Sequence, residues 1–134
     1  KVFEALSKEG IQFDSMILKP SMVISGKDCP EQADVKQVAE LTIKCLKETM
    51  PIGVPGAAFL SGGQSDDQAA EHLNAMNISA DKPPFRLTFS YGRALQREAM
   101  ATWAGKDENQ ELARQAVLKK AKIYSDASKG EYQP

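Results

Sequence analysis

The chain has 134 residues and a formal net charge of −1 at pH 7, with 42% hydrophobic and 26% charged residues. This is the length of one ordinary domain and the composition of a globular protein. The near-neutral charge gives no electrostatic basis for binding nucleic acid or an anionic membrane surface, and no apolar run reaches the roughly 20 residues of a membrane span.

The first half of the chain predicts a helix, a strand and a second helix. A short helical pattern begins at Val2 and ends at Gly10, and the continuous apolar run of residues 16–18 predicts a strand that is buried on both faces. From residue 31 to 50 the apolar positions recur every three or four residues, which predicts an amphipathic helix. Its apolar stripe consists of Val35, Val38, Ala39, Thr42, Cys45, Leu46 and Thr49.

The second half predicts two more strands, each followed by helix. Residues 57–60 and 86–91 are the strands. Between them, Ser65 and Gln68 match a capping box, which predicts that a helix begins at Ser65. Two helices follow the third strand, and the residues after them predict a frayed tail. The predicted order is therefore αβαβαβαα.

Strands that alternate with helices favour parallel pairing through right-handed crossovers. The predicted strand ends at Lys19, Ser61 and Tyr91 are 42 and 30 residues apart. A (β/α)8 TIM barrel averages roughly 31 residues per unit, and an open doubly wound sheet gives a similar spacing. Periodicity therefore indicates an α/β fold without separating these two architectures.

Two of the strand ends have the composition of an anion site. Gly62 and Gly63 lack a Cβ, so a ligand can approach their N–H groups at the start of a helix, and Ser61 adds a hydroxyl. Gly92 and Arg93 place a second exposed N–H and a guanidinium at the next helix start. The alternatives are a flexible turn and an arginine paired with a neighbouring carboxylate. The two ends together favour a phosphate site.

Lys19 lies at the end of the first predicted strand, directly before Pro20. A partly desolvated lysine keeps more of its free amine, which can attack a carbonyl. The alternatives are a structural ion pair and a side chain that extends to the rim. Because two phosphate-suited loops lie beside it, we interpret Lys19 as a nucleophile for a phosphorylated carbonyl compound.

The remaining candidates for chemistry are few. Cys29 and Cys45 match no zinc or redox spacing, so we expect free thiols in a reducing compartment and no metal site. His72 is the only histidine, and an isolated histidine in a helical pattern is typically a packing residue.

The segments "ILKPSMV", "FLSGGQS" and "LTFSYGRALQ" together resemble class I fructose-bisphosphate aldolases. The likeness extends from about Val2 to the C-terminus. It implies a (β/α)8 barrel of which residues 1–134 form the C-terminal part, namely the last three βα units and the C-terminal helix. It also implies reversible cleavage of fructose 1,6-bisphosphate to dihydroxyacetone phosphate and glyceraldehyde 3-phosphate, in glycolysis and gluconeogenesis, without metal or cofactor.

The resemblance also implies roles for individual residues. Lys19 is the Schiff-base lysine, and the phosphate is bound by Ser61, Gly62, Gly63, Ser90, Gly92 and Arg93. The implied partners are a sugar-phosphate substrate, the remainder of the barrel and further copies of the chain in a cytoplasmic homo-tetramer. Some members of this family have a longer C-terminal tail whose final tyrosine assists proton transfer. Tyr132 is not expected to take that role. Asp66, Asp67 and Glu71 are expected to be solvated charges of a helix N-terminus.

The chain begins with Lys1 rather than Met, and it has no counterpart of five earlier strands that the resemblance implies. Those strands supply an aspartate, a glutamate and lysines for acid–base work, so we expect the 134 residues alone to be inactive and unstable. A related Schiff-base enzyme, such as deoxyribose-phosphate aldolase or transaldolase, is one alternative. A non-catalytic sugar-phosphate-binding or scaffolding fragment of the same fold is another, and a set of purely structural turns is the third.

Overall fold

The computed structural model describes all residues from 1 to 134. The two strands are β1 (Gly56–Phe59) and β2 (Arg86–Phe89), and short 3-10 turns span Phe13–Ser15 and Asp107–Asn109. None of the helices combines the length and hydropathy that a membrane crossing requires. The five helices are α1 (Val2–Lys8), α2 (Val35–Thr49), α3 (Asp66–Ile78), α4 (Arg93–Trp103) and α5 (Gln110–Lys129).

The three predicted strand segments pair in parallel, as expected. β1 pairs with β2 so that Ala57 lies opposite Leu87, and Leu18 forms an isolated parallel bridge to Ala57. The Leu18 N–H donates to the carbonyl of Gly56 at 3.1 Å, and the Leu18 carbonyl accepts from the Ala58 N–H at 2.8 Å. The sheet is therefore Leu18, β1, β2, in chain order.

The first segment differs from its prediction as a strand buried on both faces. Only Leu18 bridges to β1, and Ile17 is 66% exposed. The physical reason is that Ile17 and Lys19 point to the opposite face of the sheet from Leu18, away from the helix layer.

Helices α2 and α3 each begin at a reciprocal capping box. In α3 the Ser65 hydroxyl accepts from the Gln68 N–H, and the Gln68 side chain accepts from the Ser65 N–H, both at 3.2 Å. This confirms the predicted start. In α2 the same arrangement joins Asp34 and Gln37. The helix therefore begins at Val35, four residues later than the predicted start at residue 31.

Helices α2, α3 and α5 pack against one face of the sheet. The strand residues on that face include Ala57, Phe59 and Leu87. In α2 the buried set includes Ile43, whereas Cys45 and Thr49 of the predicted stripe are exposed. The largest fully buried side chains are Phe59, Ile43, Leu73, Met76, Val38, Val54 and Thr42.

The C-terminal tail is anchored rather than frayed. Gly130 ends α5 in the left-handed conformation, with φ of 78°, and the Glu131 N–H donates to the carbonyl of Asp126 at 2.9 Å. The Tyr132 N–H then donates to Asn74 Oδ1 on α3 at 3.0 Å. These bonds hold the last residues against the helix layer.

We expect the substitution Leu73→Ala to lower the free energy of unfolding of the protein by about 2–5 kcal/mol, because it leaves a cavity between α3 and the sheet. Leu73 is 0% exposed, whereas Leu118 on α5 is 68% exposed. Leu118→Ala is the matched control and should change stability by less than about 1 kcal/mol. Urea denaturation measures both, and equal effects would contradict this description of the core.

Candidate functional site

Lys19 follows the Leu18 bridge and lies on the sheet face that the helices leave open. Successive strand residues point to opposite faces, so Lys19 shares its face with Ala58 and Thr88, and its side chain is exposed. The expected partial desolvation of Lys19 is therefore wrong for this chain, since its side chain is exposed. The Pro20 carbonyl accepts from the Leu60 N–H at 3.1 Å and continues the pairing beyond Lys19.

The segment after Lys19 is fixed to the helix layer. Met22 is only 3% exposed, and the Val23 N–H donates to the hydroxyl of Thr42 on α2 at 2.9 Å. These contacts hold the chain on the far side of Lys19 in place, while the lysine side chain itself is exposed.

Ser61, Gly62 and Gly63 form a tight turn between β1 and α3. Gly62 and Gly63 have φ of 62° and 87°, a region that residues with a Cβ rarely adopt. The Gln64 N–H donates to the Ser61 carbonyl at 3.1 Å and closes the turn. Both glycines are exposed residues, and their N–H groups have no acceptor within the chain. They are available to an anion.

The segment from Ser90 to Arg93 is oriented by Tyr91. The Tyr91 ring stacks on Phe89 at 4.1 Å between centroids and meets the ring of Tyr124 edge-on at 5.0 Å. Burial raises the pKa of Tyr91 far above its usual value, and the nearby Tyr124 and Asp66 raise it further. Because Tyr91 packs inward, its neighbours Ser90, Gly92 and Arg93 are exposed.

Helix α4 begins directly after this segment with an uncapped N-terminus. Gly92 is the N-cap residue, no side chain accepts from the first turn, and that turn contains no acidic residue. Gly92 has a negative φ, and a Cβ there would meet nothing within 4 Å. Neither the conformation nor the packing of this chain requires a glycine at that position. The free N–H groups, the helix dipole and the Arg93 guanidinium all favour an anion here.

One depression of about 780 Å³ brings part of the predicted set together. Ser61, Gly63 and Arg93 line it, along with Gln64, Ser65, Gln96, Arg97 and Met100. Gly62 lies on the other side of the turn, where it borders a second cavity of about 550 Å³ together with Gly63. Lys19, Ser90 and Gly92 line neither cavity.

Two residues beneath the turn were not predicted to belong to the site. The Gln64 side chain donates to the Ser61 carbonyl at 3.0 Å and contacts His72 Nδ1 at 2.5 Å. His72 is 6% exposed, and burial lowers its pKa, with the Glu71 carboxylate opposing the shift. The one sequence signal was the position of His72, two helical turns after the "SGGQS" segment.

Asp66, at the start of α3, was expected to be solvated, but its side chain is mostly shielded from solvent. Its side chain is 16% exposed and lies 3.4 Å from Lys120 Nζ and 3.8 Å from the Arg97 guanidinium. Asp66 also lies near Tyr124, whose pKa is raised to about 12. Burial of the Tyr124 phenol is the largest cause, and the negative charge of Asp66 is the next largest. The cluster joins α3, α4 and α5 behind the depression.

Cys29 and Cys45 are unpaired, as predicted. Both are exposed, although Cys45 was predicted to lie in the apolar stripe of α2. The chain contains no group of three or more histidine, cysteine or acidic side chains placed to hold a metal ion.

The family model of class-I fructose-bisphosphate aldolase matches residues 1–134. Fructose-bisphosphate aldolase B of Sparus aurata is 47% identical over 133 residues, which are 99% of this chain and 36% of that protein. Fructose-bisphosphate aldolase 1 of Chlamydomonas reinhardtii, named as chloroplastic, is 45% identical over 98% of this chain and 34% of its own length. The chain thus spans about a third of these relatives.

A solved structure of fructose-bisphosphate aldolase from Plasmodium falciparum, in complex with TRAP and a small-molecule inhibitor, superposes with a TM-score of 0.93 at 42% identity. The alignment covers 99% of this chain and 38% of that one. It confirms that the βα units described above are part of a (β/α)8 barrel. Because the family model matches every residue, the chain belongs to the class-I fructose-bisphosphate aldolase family.

Proposed function

We propose that the protein is a class I aldolase that cleaves fructose 1,6-bisphosphate reversibly, with Lys19 as the Schiff-base residue. The observation that carries the proposal is the arrangement of the three strand ends. Lys19 lies on the same edge of one parallel sheet as an open depression lined by Ser61, Gly63 and Arg93. An amine and an anion site at one edge suit a phosphorylated ketone.

The sheet register supports the proposed use of Lys19 as the nucleophile and of the depression beside the Ser61–Gly63 turn as the phosphate site. Lys19 lies level with Ala58 and Thr88, so it is two residues short of the level of Ser90 and three short of Ser61. At about 3.3 Å per residue, the offset along the strands is roughly 7–10 Å. A phosphate at the turn and a carbonyl carbon nearer the lysine fit within that offset, because the lysine stem is long and flexible.

The proposed chemistry uses Lys19 to stabilise a carbanion. The free amine attacks C2 of the ketose, and water leaves with the ketone oxygen to give an imine, which takes up one proton from an acid group to become a protonated imine. Removal of the C4 hydroxyl proton breaks the C3–C4 bond, and the bonding electrons move into the imine to form an enamine. The imine is thus the electron sink, and the proposal invokes neither a metal nor a cofactor.

The phosphate-binding residues fix C2 against the amine. In the proposal the N–H groups of Gly62, Gly63 and Gly92, the hydroxyls of Ser61 and Ser90, and the Arg93 guanidinium bind the ketose phosphate. Orientation of this kind contributes several kcal/mol to the lowering of a barrier. Binding energy from the phosphate, remote from the reacting bond, is then used to position the carbons.

The proposal includes the remainder of a barrel as the structural partner of this chain. The sheet leaves one face and the outer edge at Leu18 open, and Lys19 lies on that face. Strands that closed the barrel would shield the lysine and supply the acid–base groups that the family resemblance implies. The tetramer and the glycolytic role also belong to this proposal.

A cytoplasmic location is proposed on the basis of two exposed, unpaired cysteines, which are typical of reducing compartments. A relative named as chloroplastic indicates that the compartment differs within the family.

We expect Lys19→Met to abolish imine formation and to lower the rate of cleavage on the order of 10⁴-fold or more. The test is borohydride reduction of the protein with dihydroxyacetone phosphate, followed by intact and peptide mass spectrometry. The wild-type adduct should map to Lys19, and the control Lys36→Met, an exposed residue of α2, should retain it. Phosphate binding without any adduct would favour the non-catalytic sugar-phosphate-binding alternative.

We expect Arg93→Gln to weaken phosphate binding by roughly ten- to 150-fold, since hydrogen bonds to charged groups contribute about 1.5–3 kcal/mol. Arg114→Gln removes another exposed arginine, on α5, and is the matched control. The Kd of inorganic phosphate, from isothermal titration calorimetry, measures both. If Arg93→Gln and Arg114→Gln bind phosphate equally well, Arg93 is not part of the site.

A further inference from the structure

Gln64 is the residue that closes the Ser-Gly-Gly turn. Its backbone N–H and its side-chain Nε2 both donate to the carbonyl of Ser61, at 3.1 and 3.0 Å. The same Nε2 lies 3.6 Å from the sulfur of Met22, three residues after Lys19. A single amide thus contacts both the turn and the segment that follows the lysine.

The orientation of this amide determines the tautomer of His72. The Ser61 carbonyl can only accept, so the amide nitrogen of Gln64 must face it. Gln64 Oε1 then faces His72 Nδ1 at 2.5 Å. Because an amide oxygen also only accepts, Nδ1 must carry the proton. His72 therefore donates to Gln64, and its place on α3 ties the amide to the helix.

This support matters because the turn has few other constraints. Gly62 and Gly63 have no side chains to pack, and a Cβ at Gly63 would meet nothing within 4 Å. Two adjacent glycines have the widest backbone freedom of any residue pair. Their exposed N–H groups can bind an anion well only if the turn already holds the required shape.

We propose that His72 is a positioning residue that acts through Gln64 to hold the turn from Ser61 to Gly63 in its phosphate-binding shape. The inference rests on the proposed function, because it assigns a support to the same phosphate site. It adds a residue that touches neither the phosphate nor the reacting carbons. The Met22 contact extends the same support to the segment beside Lys19.

The test compares His72→Leu with His72→Asn. Leucine has an apolar side chain and no hydrogen-bond donor. The Nδ2 of asparagine is bonded to Cγ, as Nδ1 of histidine is, so it can still donate to Gln64. We expect His72→Leu to raise the Kd of inorganic phosphate and the KM for the bisphosphate by roughly three- to tenfold, with kcat unchanged. His72→Asn should stay within about twofold of wild type.

Two further variants separate positioning from general destabilisation. In a Gln64→Met background, His72→Leu should have no further effect on the phosphate Kd, because the two residues act in series. Asn74 lies on α3, the helix that also contains His72, and its side chain accepts from the Tyr132 N–H. Asn74→Ala removes this acceptor. It should lower the melting temperature and leave the phosphate Kd unchanged.

Borohydride trapping of each variant with dihydroxyacetone phosphate makes a failure of the inference distinguishable from a failure of the proposed function. A wild-type protein that binds inorganic phosphate but forms no imine would refute the catalytic role of Lys19, and the comparison of His72 variants would still decide the inference. The inference is overturned if wild type binds no phosphate, if His72→Leu leaves the phosphate Kd unchanged, or if His72→Asn fails to restore it. A loss of kcat alone in His72→Leu would also overturn it.

Discussion

The hydrogen bonds that join Leu18, β1 and β2 in one parallel ladder determine where the other elements lie. Parallel neighbours need a crossover, and the right-handed rule places both crossovers on the same face of the sheet. Helices α2 and α3 therefore cover one face, and the carboxyl ends of all three strand segments reach the same edge. Every residue proposed for chemistry follows one of those ends, so the site depends on the pairing before it depends on any side chain.

The features that local sequence determines were predictable. The capping box of α3 involves two residues three positions apart, and the helices follow from apolar periodicity within one segment. The burial of the first strand depends instead on what covers each face of the sheet, and Ile17 is exposed because it points away from the helix layer. The stripe of α2 was placed correctly at Val38 but included Cys45 instead of Ile43, because the direction from which the sheet contacts the helix is set by tertiary structure.

The candidate site was predictable to a similar extent. Strand topology alone places Lys19, Ser61 and Arg93 at one edge, since ligands of parallel α/β folds bind at the carboxyl ends of strands. The exposure of Lys19 and the contact of His72 with Gln64 were not predictable in this way. Both depend on which surfaces of the fold are covered, and the position of His72 two helical turns after the "SGGQS" segment does not by itself identify Gln64 as its partner.

The proposed site combines an anion-binding turn with a nucleophile on a flexible side chain, and the two parts differ in their physical basis. The proposed donors at the turn are backbone N–H groups, whose directions are fixed if Gln64 and His72 hold the chain as we propose. The lysine amine lies at the end of a flexible stem, also in a closed barrel whose further strands would shield the face on which Lys19 lies. A rigid grip lets phosphate binding lower the entropy of the reacting carbons before any bond forms. In the proposed mechanism, a flexible amine can then follow C2 as its geometry changes from carbonyl to imine and enamine, without disturbing the phosphate.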